Sequence, residues 1–146
     1  MIRIAPLIST QLATSPGPYV LLVDDHEPTL RRLHAVVTSA GHRCVSTSSP
    51  SEAVRLCDAR RPQVVVTDFT MPNLDGGGLA HWLSSRFPSI PIVLVSGEEF
   101  DGRSRRVMEQ TFSAILTKPI DVERFLRLLE RMMPPGGKPT HGSGRP

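Results

Sequence analysis

Short apolar runs alternate with amphipathic stretches along most of the chain. Runs such as 19–23 and 92–95 have the length of buried strands and are far shorter than the ~18 apolar residues of a membrane-spanning helix. Between the runs, apolar residues recur every three or four positions, as in Leu30, Leu33 and Val37, which predicts helices that bury one face. The predicted strands are 19–23, 43–47, 64–67, 92–95 and 114–117.

Several of the intervening segments begin or end at residues that favour helix ends. Pro28 suits the first turn of a helix over about 28–40, and Gly41 suits its end. Ser49 followed by Glu52 forms a capping-box pattern for a helix that runs to Arg60. The other predicted helices are one carrying Leu79, Trp82 and Leu83, one near 103–110 and one over about 122–132.

Strands and helices in strict alternation are typical of a parallel sheet with helices on both faces. We therefore expect a doubly wound, flavodoxin-like (βα)5 α/β fold with a five-stranded parallel sheet in the order 2-1-3-4-5. Residues 19–133 are the predicted folded unit. Residues 1–18, rich in Ser, Thr and Pro, are expected to be a flexible leader, and the Pro/Gly-rich residues 134–146 a disordered tail.

Composition and charge argue against membrane insertion and nucleic-acid binding. Of the 146 residues, 39% are hydrophobic and 21% charged, as in a globular domain without membrane insertion. The net charge of +3 comes from Arg3, Lys138 and Arg145 near the termini, because the acidic and basic residues between them balance. We therefore expect no direct nucleic-acid partner. The start lacks an unbroken apolar signal region, which favours a cytoplasmic location.

Cysteine and histidine give no indication of a metal cluster or a disulfide framework. Cys44 and Cys57 are expected to be small buried hydrophobes. Four of the five histidines lack the spacing of metal ligands and are expected to be exposed or half-buried: His26, His34, His42 and His81. The basic stretch 103–106 is interpreted as a solvated helix face, with a docking patch as the alternative.

Polar residues directly follow four of the five strands. They are Asp24 and Asp25 after the first, Asp68 after the third, Ser96 after the fourth and Lys118 after the fifth. In an open α/β sheet the binding crevice lies outside the carboxyl ends of the strands. The sequence therefore predicts three carboxylates, one hydroxyl and one ammonium group in a single crevice.

Three clustered carboxylates repel one another unless one is protonated or a cation lies among them. Oxygen ligands in a small site favour Mg²⁺ as that cation. A magnesium ion beside an aspartate and a fixed lysine is typical of phosphoryl transfer, in which a carboxylate can act as the nucleophile. Each residue also has a simpler interpretation: Asp24 and Asp25 as helix caps, Asp68 as a turn residue, Lys118 as a surface lysine.

Four motifs, in this order and spacing, resemble those of the receiver domains of two-component response regulators. They are Val20-Leu21-Leu22-Val23-Asp24-Asp25, the stretch from Val64 to Gly76, Pro91 to Gly97, and Leu116-Thr117-Lys118-Pro119. The resemblance covers about residues 19–133.

The resemblance implies a role for each matching residue. Asp68 would be the phosphoacceptor, with Ser96 and Lys118 contacting the phosphoryl group. Mg²⁺ would be held by Asp24, Asp25, Asp68 and the backbone carbonyl of Thr70. Thr70 and Glu98 would tune hydrolysis, and Pro119 would follow a cis peptide bond.

The chain departs from the family pattern at Ile115, where the family often has an aromatic residue that switches between exposed and buried positions. Gly97 stands where alanine is frequent, and Gly76-Gly77-Gly78 is an unusually glycine-rich helix start. Phosphorylation should tolerate these changes, whereas transmission of the signal must differ.

Three functional hypotheses follow. In the first, a sensor histidine kinase or histidine phosphotransfer protein phosphorylates Asp68, and the modified chain binds a downstream protein target. Because no output domain is recognisable after residue 133, we expect a stand-alone regulator or a relay shuttle and not a transcription factor. It would catalyse only its own phosphorylation and dephosphorylation. The second is a phosphatase with a strand-end aspartate nucleophile, and His26 at the second position after Asp24 argues against it. The third is an interaction module with the same fold that works without phosphorylation.

Overall fold

The computed structural model describes residues 17–68, 76–97 and 101–134. Strands and helices alternate throughout. The strands are β1 (Val20–Val23), β2 (Cys44–Thr47), β3 (Val64–Asp68), β4 (Ile92–Ser96) and β5 (Ala114–Thr117). The helices are α1 (Glu27–Ser39), α2 (Pro50–Ala59), α3 (Gly76–Arg86), α4 (Gly102–Thr111) and α5 (Val122–Met132).

All five strands belong to one parallel sheet in the order β2-β1-β3-β4-β5. The predicted doubly wound α/β fold and its strand order are therefore confirmed. Strand β1 is aligned with both of its neighbours, since Val20 pairs with Cys44 of β2 and with Val64 of β3. The sheet therefore begins at one level along β1, β2 and β3, and their carboxyl ends reach the same edge.

Alternating side chains of the strands supply two hydrophobic layers. On one face Leu21, Val65 and Leu94 belong to a buried cluster that includes residues of α2 and α3. On the other face Leu22, Val66 and Val95 pack with residues of α1 and α5. Because β1, β3 and β4 are covered on both faces, their sequences are apolar at nearly every position.

Polar side chains begin four of the helices. Ser49, Asp101 and Asp121 accept hydrogen bonds from the backbone N–H groups of Glu52, Ser104 and Arg124. Of the two hydrogen bonds in the predicted capping box, the one from the Glu52 N–H to the Ser49 hydroxyl forms. The Ser49 N–H donates to the Thr47 hydroxyl instead of to the Glu52 side chain. At α1 the cap is the His26 ring, so neither Asp24 nor Asp25 caps that helix.

Gly41 ends the turn after α1, as the sequence indicates. Its φ of 95° lies in the left-handed region that a residue without Cβ enters at little cost. The turn leads into β2 and buries His42, which is 4% exposed. The prediction that His42 lies at the surface or half-buried is therefore wrong, because the turn directs it inward. His26 and His81 are exposed and His34 is half-buried, as expected.

Helix α4 is the least anchored element of the described chain. None of its residues is buried, and Met108 is its half-buried contact with the core. Its basic residues Arg103, Arg105 and Arg106 are exposed, as predicted. Cys57 is buried and Cys44 half-buried, and both are free thiols. Within residues 17–68, 76–97 and 101–134, no helix is both long enough and apolar enough to span a bilayer.

We expect Phe125→Ala to lower the free energy of unfolding by about 3–5 kcal/mol. Phe125 is fully buried between α5 and the sheet, and its removal leaves a cavity that the close-packed layer fills only in part. Urea denaturation monitored by circular dichroism measures the loss. Phe87→Ala is the matched control, because Phe87 is only half-buried at the edge of the opposite layer. Equal losses in the two variants would contradict this account of the α5 layer.

Candidate functional site

The sheet register brings Asp24 and Asp68 side by side. Val23 of β1 pairs with Thr67 of β3, and each of these residues immediately precedes one of the two aspartates. Neighbouring strands lie about 4.8 Å apart, so two residues at one level of adjacent strands occupy the same patch of the sheet edge. Asp25 continues the chain from Asp24 and reaches the same patch.

Strands β4 and β5 supply the other two predicted residues. Asp68 pairs with Val95, so Ser96 lies one residue further along the edge, and Ser96 in turn pairs with Thr117 of β5. The Lys118 backbone N–H donates to the Ser96 carbonyl oxygen over 2.9 Å. The Lys118–Pro119 peptide bond is cis.

The three aspartates form one carboxylate cluster. One oxygen of each, in Asp24, Asp25 and Asp68, lies within 4.8 Å of the others. Their surroundings differ, because Asp24 is buried, Asp68 is half-buried and Asp25 is exposed. The cluster therefore runs from a desolvated end to solvent, where a partner or a small ion can enter.

Lys118 supplies the positive charge of the site. Its Nζ lies 3.3 Å from Asp68 Oδ1 and 3.7 Å from Asp24 Oδ2, although the three residues lie at the carboxyl ends of three different strands, β5, β3 and β1. Its side chain is 30% exposed, and it points into the cluster and not away from it as a surface lysine would. The ammonium group partly neutralises the two more buried carboxylates.

Asp24 has the most perturbed environment of the three. Burial raises the pKa of its carboxyl group above the ordinary value, and the neighbouring carboxylates of Asp68 and Asp25 also raise it. The His26 backbone N–H, which donates to Asp24 Oδ1 over 2.9 Å, and the Lys118 ammonium oppose that rise. The negative charge on Asp24 is therefore costly in the protein without a cation.

The donor set fits Mg²⁺. All three groups offer carboxylate oxygens, which this hard cation prefers. Ligands on opposite sides of an octahedral Mg²⁺ are about 4.2 Å apart, little less than the 4.8 Å limit within which the three oxygens lie. With every group ionised, three carboxylates and one ammonium leave two negative charges, which one divalent cation balances.

Two residues expected at the site lie outside the described residues. They are Thr70, expected to offer its carbonyl to the metal, and Glu98, expected to tune hydrolysis. The described strand ends bring together Asp24, Asp25, Asp68, Ser96 and Lys118, as the sequence predicts.

The sequence did not predict a second charged feature, a groove between α4, β5 and α5 lined by Arg105, Arg124, Arg127 and Arg131. We call it the arginine groove. Its signal in the sequence is the spacing of the last three arginines, which places them along one side of a helix.

Comparison with known proteins identifies the family to which this chain is similar. Residues 20–130 match the family model described as the response regulator receiver domain. The polar-differentiation response regulator DivK of Brucella anthropi is 25% identical over 113 residues, which cover 76% of this chain and 92% of DivK.

Solved structures agree in fold. A response regulator receiver protein from Pseudomonas putida has 27% identity and a TM-score of 0.70, covering 80% of this chain and 98% of its own. The chemotaxis protein CheY4 of Vibrio cholerae has 22% identity and a TM-score of 0.72, covering 81% of this chain and 100% of its own. From the match over 20–130, together with these relatives, the chain belongs to the response regulator receiver domains of two-component signalling.

Proposed function

We propose that this chain is a phosphorylation switch in which Asp68 accepts a phosphoryl group in the presence of Mg²⁺. The donor would be a phosphohistidine of a sensor histidine kinase or a histidine phosphotransfer protein in the cytoplasm, and the modified form would bind a downstream protein. One observation carries the proposal: carboxylates from β1 and β3 converge with the Lys118 ammonium at a single sheet edge.

Asp68 is the best placed nucleophile of the three aspartates. Asp24 is more buried, and its two oxygens already contact the His26 N–H and the Lys118 ammonium. Asp25 is exposed and lies at the solvent end of the cluster. Asp68 combines partial exposure, 13% of its side chain, with a cation 3.3 Å away, so a donor can reach it while Lys118 stabilises the charge that develops.

In the proposed reaction, a carboxylate oxygen of Asp68 attacks the phosphorus atom of the donor. The new P–O bond forms as the P–N bond to the donor imidazole breaks, and the imidazole leaves with the bonding electrons and takes up a proton. The Lys118 ammonium and the Ser96 hydroxyl would contact the oxygens of the transferred group. Hydrolysis reverses the modification when water attacks the same phosphorus atom.

The magnesium ion, when bound, supplies charge neutralisation for the phosphoryl oxygens. Asp24, Asp25 and Asp68 would hold it, together with the Thr70 carbonyl that the family resemblance implies. We also propose that Thr70 and Glu98 tune the rate of hydrolysis, since they match the family positions with that role.

The proposed activity is self-modification and not turnover of a separate substrate. A phosphatase with an aspartate nucleophile would use an acid two residues further on as proton donor. That position holds His26, whose ring accepts the N–H of Thr29 and thereby caps α1. The geometry therefore favours the receiver chemistry over phosphate-ester hydrolysis.

Incubation with Mg²⁺ and a small phosphodonor, or with a phosphorylated partner kinase, should add one phosphoryl group to the wild type and none to Asp68→Asn. The asparagine lacks the anionic oxygen that attacks phosphorus. Intact-mass spectrometry measures the addition. Asp58→Asn is the matched control, because Asp58 is an exposed aspartate paired with Arg86 away from the cluster. An adduct that persists in Asp68→Asn, or no wild-type adduct under both conditions, would refute the proposal.

Asp24→Asn should raise the free energy of unfolding measured in a chelator at neutral pH. Because burial and the neighbouring carboxylates raise the Asp24 pKa on folding, its ionised form destabilises the protein. The contribution of this carboxyl group is favourable at low pH and is lost as pH rises through its folded-state pKa. Asparagine keeps an oxygen for the His26 N–H, so that hydrogen bond can remain.

The same variant should lose the stabilisation by Mg²⁺. At a concentration ten times the Kd, Mg²⁺ stabilises the wild type by about 1.4 kcal/mol. Thermal unfolding with Mg²⁺ and with chelator gives both quantities. A variant that is less stable than wild type in chelator, or that keeps the full response to Mg²⁺, would contradict the assigned role of Asp24.

Lys118→Met should slow phosphoryl uptake by about 10²–10³-fold, the usual effect of removing one electrostatic stabiliser of a transition state. The methionine keeps most of the apolar stem but removes the ammonium that lies 3.3 Å from Asp68. Because the carboxylates then lack their fixed cation, Mg²⁺ should stabilise the variant at least as much as it stabilises the wild type. Rates come from the time course of intact mass, and an unchanged rate would exclude the assigned role.

A further inference from the structure

The arginine groove is a cleft between α4, β5 and α5 that takes no part in the proposed phosphoryl transfer. It has a volume of about 530 Å³, which lies within the range of clefts that hold small molecules. Its floor is apolar and includes Phe112, Ile115 and Leu116, which are 3%, 8% and 4% exposed. Because a single bound ion would fill only a small part of this volume, the dimensions of the groove favour a small organic ligand.

The walls of the groove carry positive charge that few anions of the protein offset. Arg124, Arg127 and Arg131 lie three and four residues apart on α5 and are exposed, so they follow one side of the helix for about 10 Å. Among the described residues that line the groove, Glu109 is the one acid, and it already pairs with Arg105 at 3.2 Å. The salt bridges of the described residues include none to the three arginines of α5. The row is therefore available to an anionic ligand.

We propose that the arginine groove binds a small molecule of the nucleoside polyphosphate class. Guanidinium groups bind phosphate oxygens through two parallel N–H donors, which gives the α5 row geometric selectivity as well as attraction. A chain of phosphates is several atoms long and can contact more than one arginine of the row at once. The base would lie on the apolar floor, where a guanidinium plane can stack on its face.

Simpler occupants match only part of the groove. Inorganic phosphate suits the charged walls but leaves the apolar floor open to water, and an uncharged nucleoside leaves the arginines without an anion. Residues 1–16 and 135–146 of this chain contain no Asp or Glu, so their side chains offer the arginines no carboxylate. A ligand that combines phosphate groups with a planar ring contacts both the walls and the floor.

The proposed ligand site is separate from the acidic cluster, although both involve β5. Residues Ala114 to Leu116 of the strand line the groove, whereas Lys118, directly after the strand, points into the cluster. The carboxylates of the cluster repel phosphate groups unless a cation lies between them. The groove needs no metal, because its guanidinium groups supply the positive charge. The proposal thus goes beyond the proposed function and does not depend on it.

The first experiment titrates ATP and GTP that carry a fluorescent methylanthraniloyl group with the full, unphosphorylated chain in a chelator. At least one of the two should bind saturably, and binding should weaken as salt increases because the arginines are exposed. The unlabelled nucleotide should displace it at least about tenfold more effectively than pyrophosphate does, and adenosine should be weaker still. No saturable binding of either nucleotide at up to about 1 mM, or equal displacement by pyrophosphate, would overturn the proposal.

The second experiment locates the binding. Arg127→Glu/Arg131→Glu reverses two groove charges and should weaken nucleotide binding by at least about tenfold. Arg32→Glu/Arg106→Glu is the matched control, because it changes net charge equally at two exposed helical arginines that do not line the groove. Circular dichroism checks that both variants fold. Equal weakening in the two double variants, or none in either, would refute the assignment of the ligand to the groove.

A third comparison separates the groove from the acidic cluster. Asp68→Asn should bind the nucleotide like wild type in chelator, so failure of phosphorylation and failure of the ligand proposal are distinguishable. Loss of nucleotide binding in Asp68→Asn would place the ligand at the cluster and overturn the proposal.

Two other polyanions serve as competitors. A single-stranded oligonucleotide and an acidic peptide should each displace the nucleotide less effectively than unlabelled nucleotide does, because neither is a compact ligand that fits within about 530 Å³. Tighter binding of either competitor, lost in Arg127→Glu/Arg131→Glu alone, would assign the groove to that class of ligand and contradict the proposal.

Discussion

The hydrogen-bonded pairing of β1 with β3 sets the geometry of the carboxylate cluster. It places Val23 opposite Thr67 and therefore sets the aspartates that follow these residues at one level. A slip of one residue would turn the side chains of either strand to the opposite face of the sheet. The two apolar layers resist such a slip, because Leu21 and Leu22 belong to opposite clusters. Core packing thus determines the geometry of the polar site.

This arrangement keeps carboxylates close together at a cost in stability. Burial and like charge disfavour the ionised form of Asp24, while the His26 N–H and Lys118 compensate in part. A partly compensated anionic cluster is poised to take up a divalent cation, because the cation relieves repulsion that the fold itself imposes. A bound cation and the Lys118 ammonium would together offset the further negative charge that a phosphoryl group on Asp68 brings. In the proposed function, the same three side chains would link the stability of the protein to its reactivity.

Strand β5 connects the two charged regions of the molecule. Its residues Ile115 and Leu116 are buried and line the arginine groove, and Lys118 follows the strand into the acidic cluster. With isoleucine at position 115, no aromatic ring is available there to move between exposed and buried positions. Helix α4, which has no buried residue, can adjust more easily than the helices that fill the core. The arginine groove can therefore adjust most easily along the wall that α4 forms.

The strands, the helices and the residues that meet at the carboxyl edge of the sheet could be inferred from the sequence alone. Continuous apolar runs indicated strands covered on both faces, and residues such as Gly41 and Ser49 marked helix ends. Polar residues at four strand ends then indicated Asp24, Asp68 and Lys118 as neighbours, because parallel strands end at a common edge. Each of these signals lies within a few neighbouring residues. The order of the four motifs along the chain adds the resemblance to a known family.

The depth at which each charged group is buried, and the charges that lie beside it, followed from the packing of the folded chain. The turn at Gly41 buried His42, contrary to prediction, since the direction of a turn depends on what it packs against. The structure also gave Asp24, Asp25 and Asp68 three different exposures, although all three lie at the carboxyl ends of apolar strands. It brought Arg105 of α4 beside the arginines of α5, a juxtaposition with no local signal. Burial and long-range proximity depend on the packing of whole layers, and therefore on residues distant in the sequence.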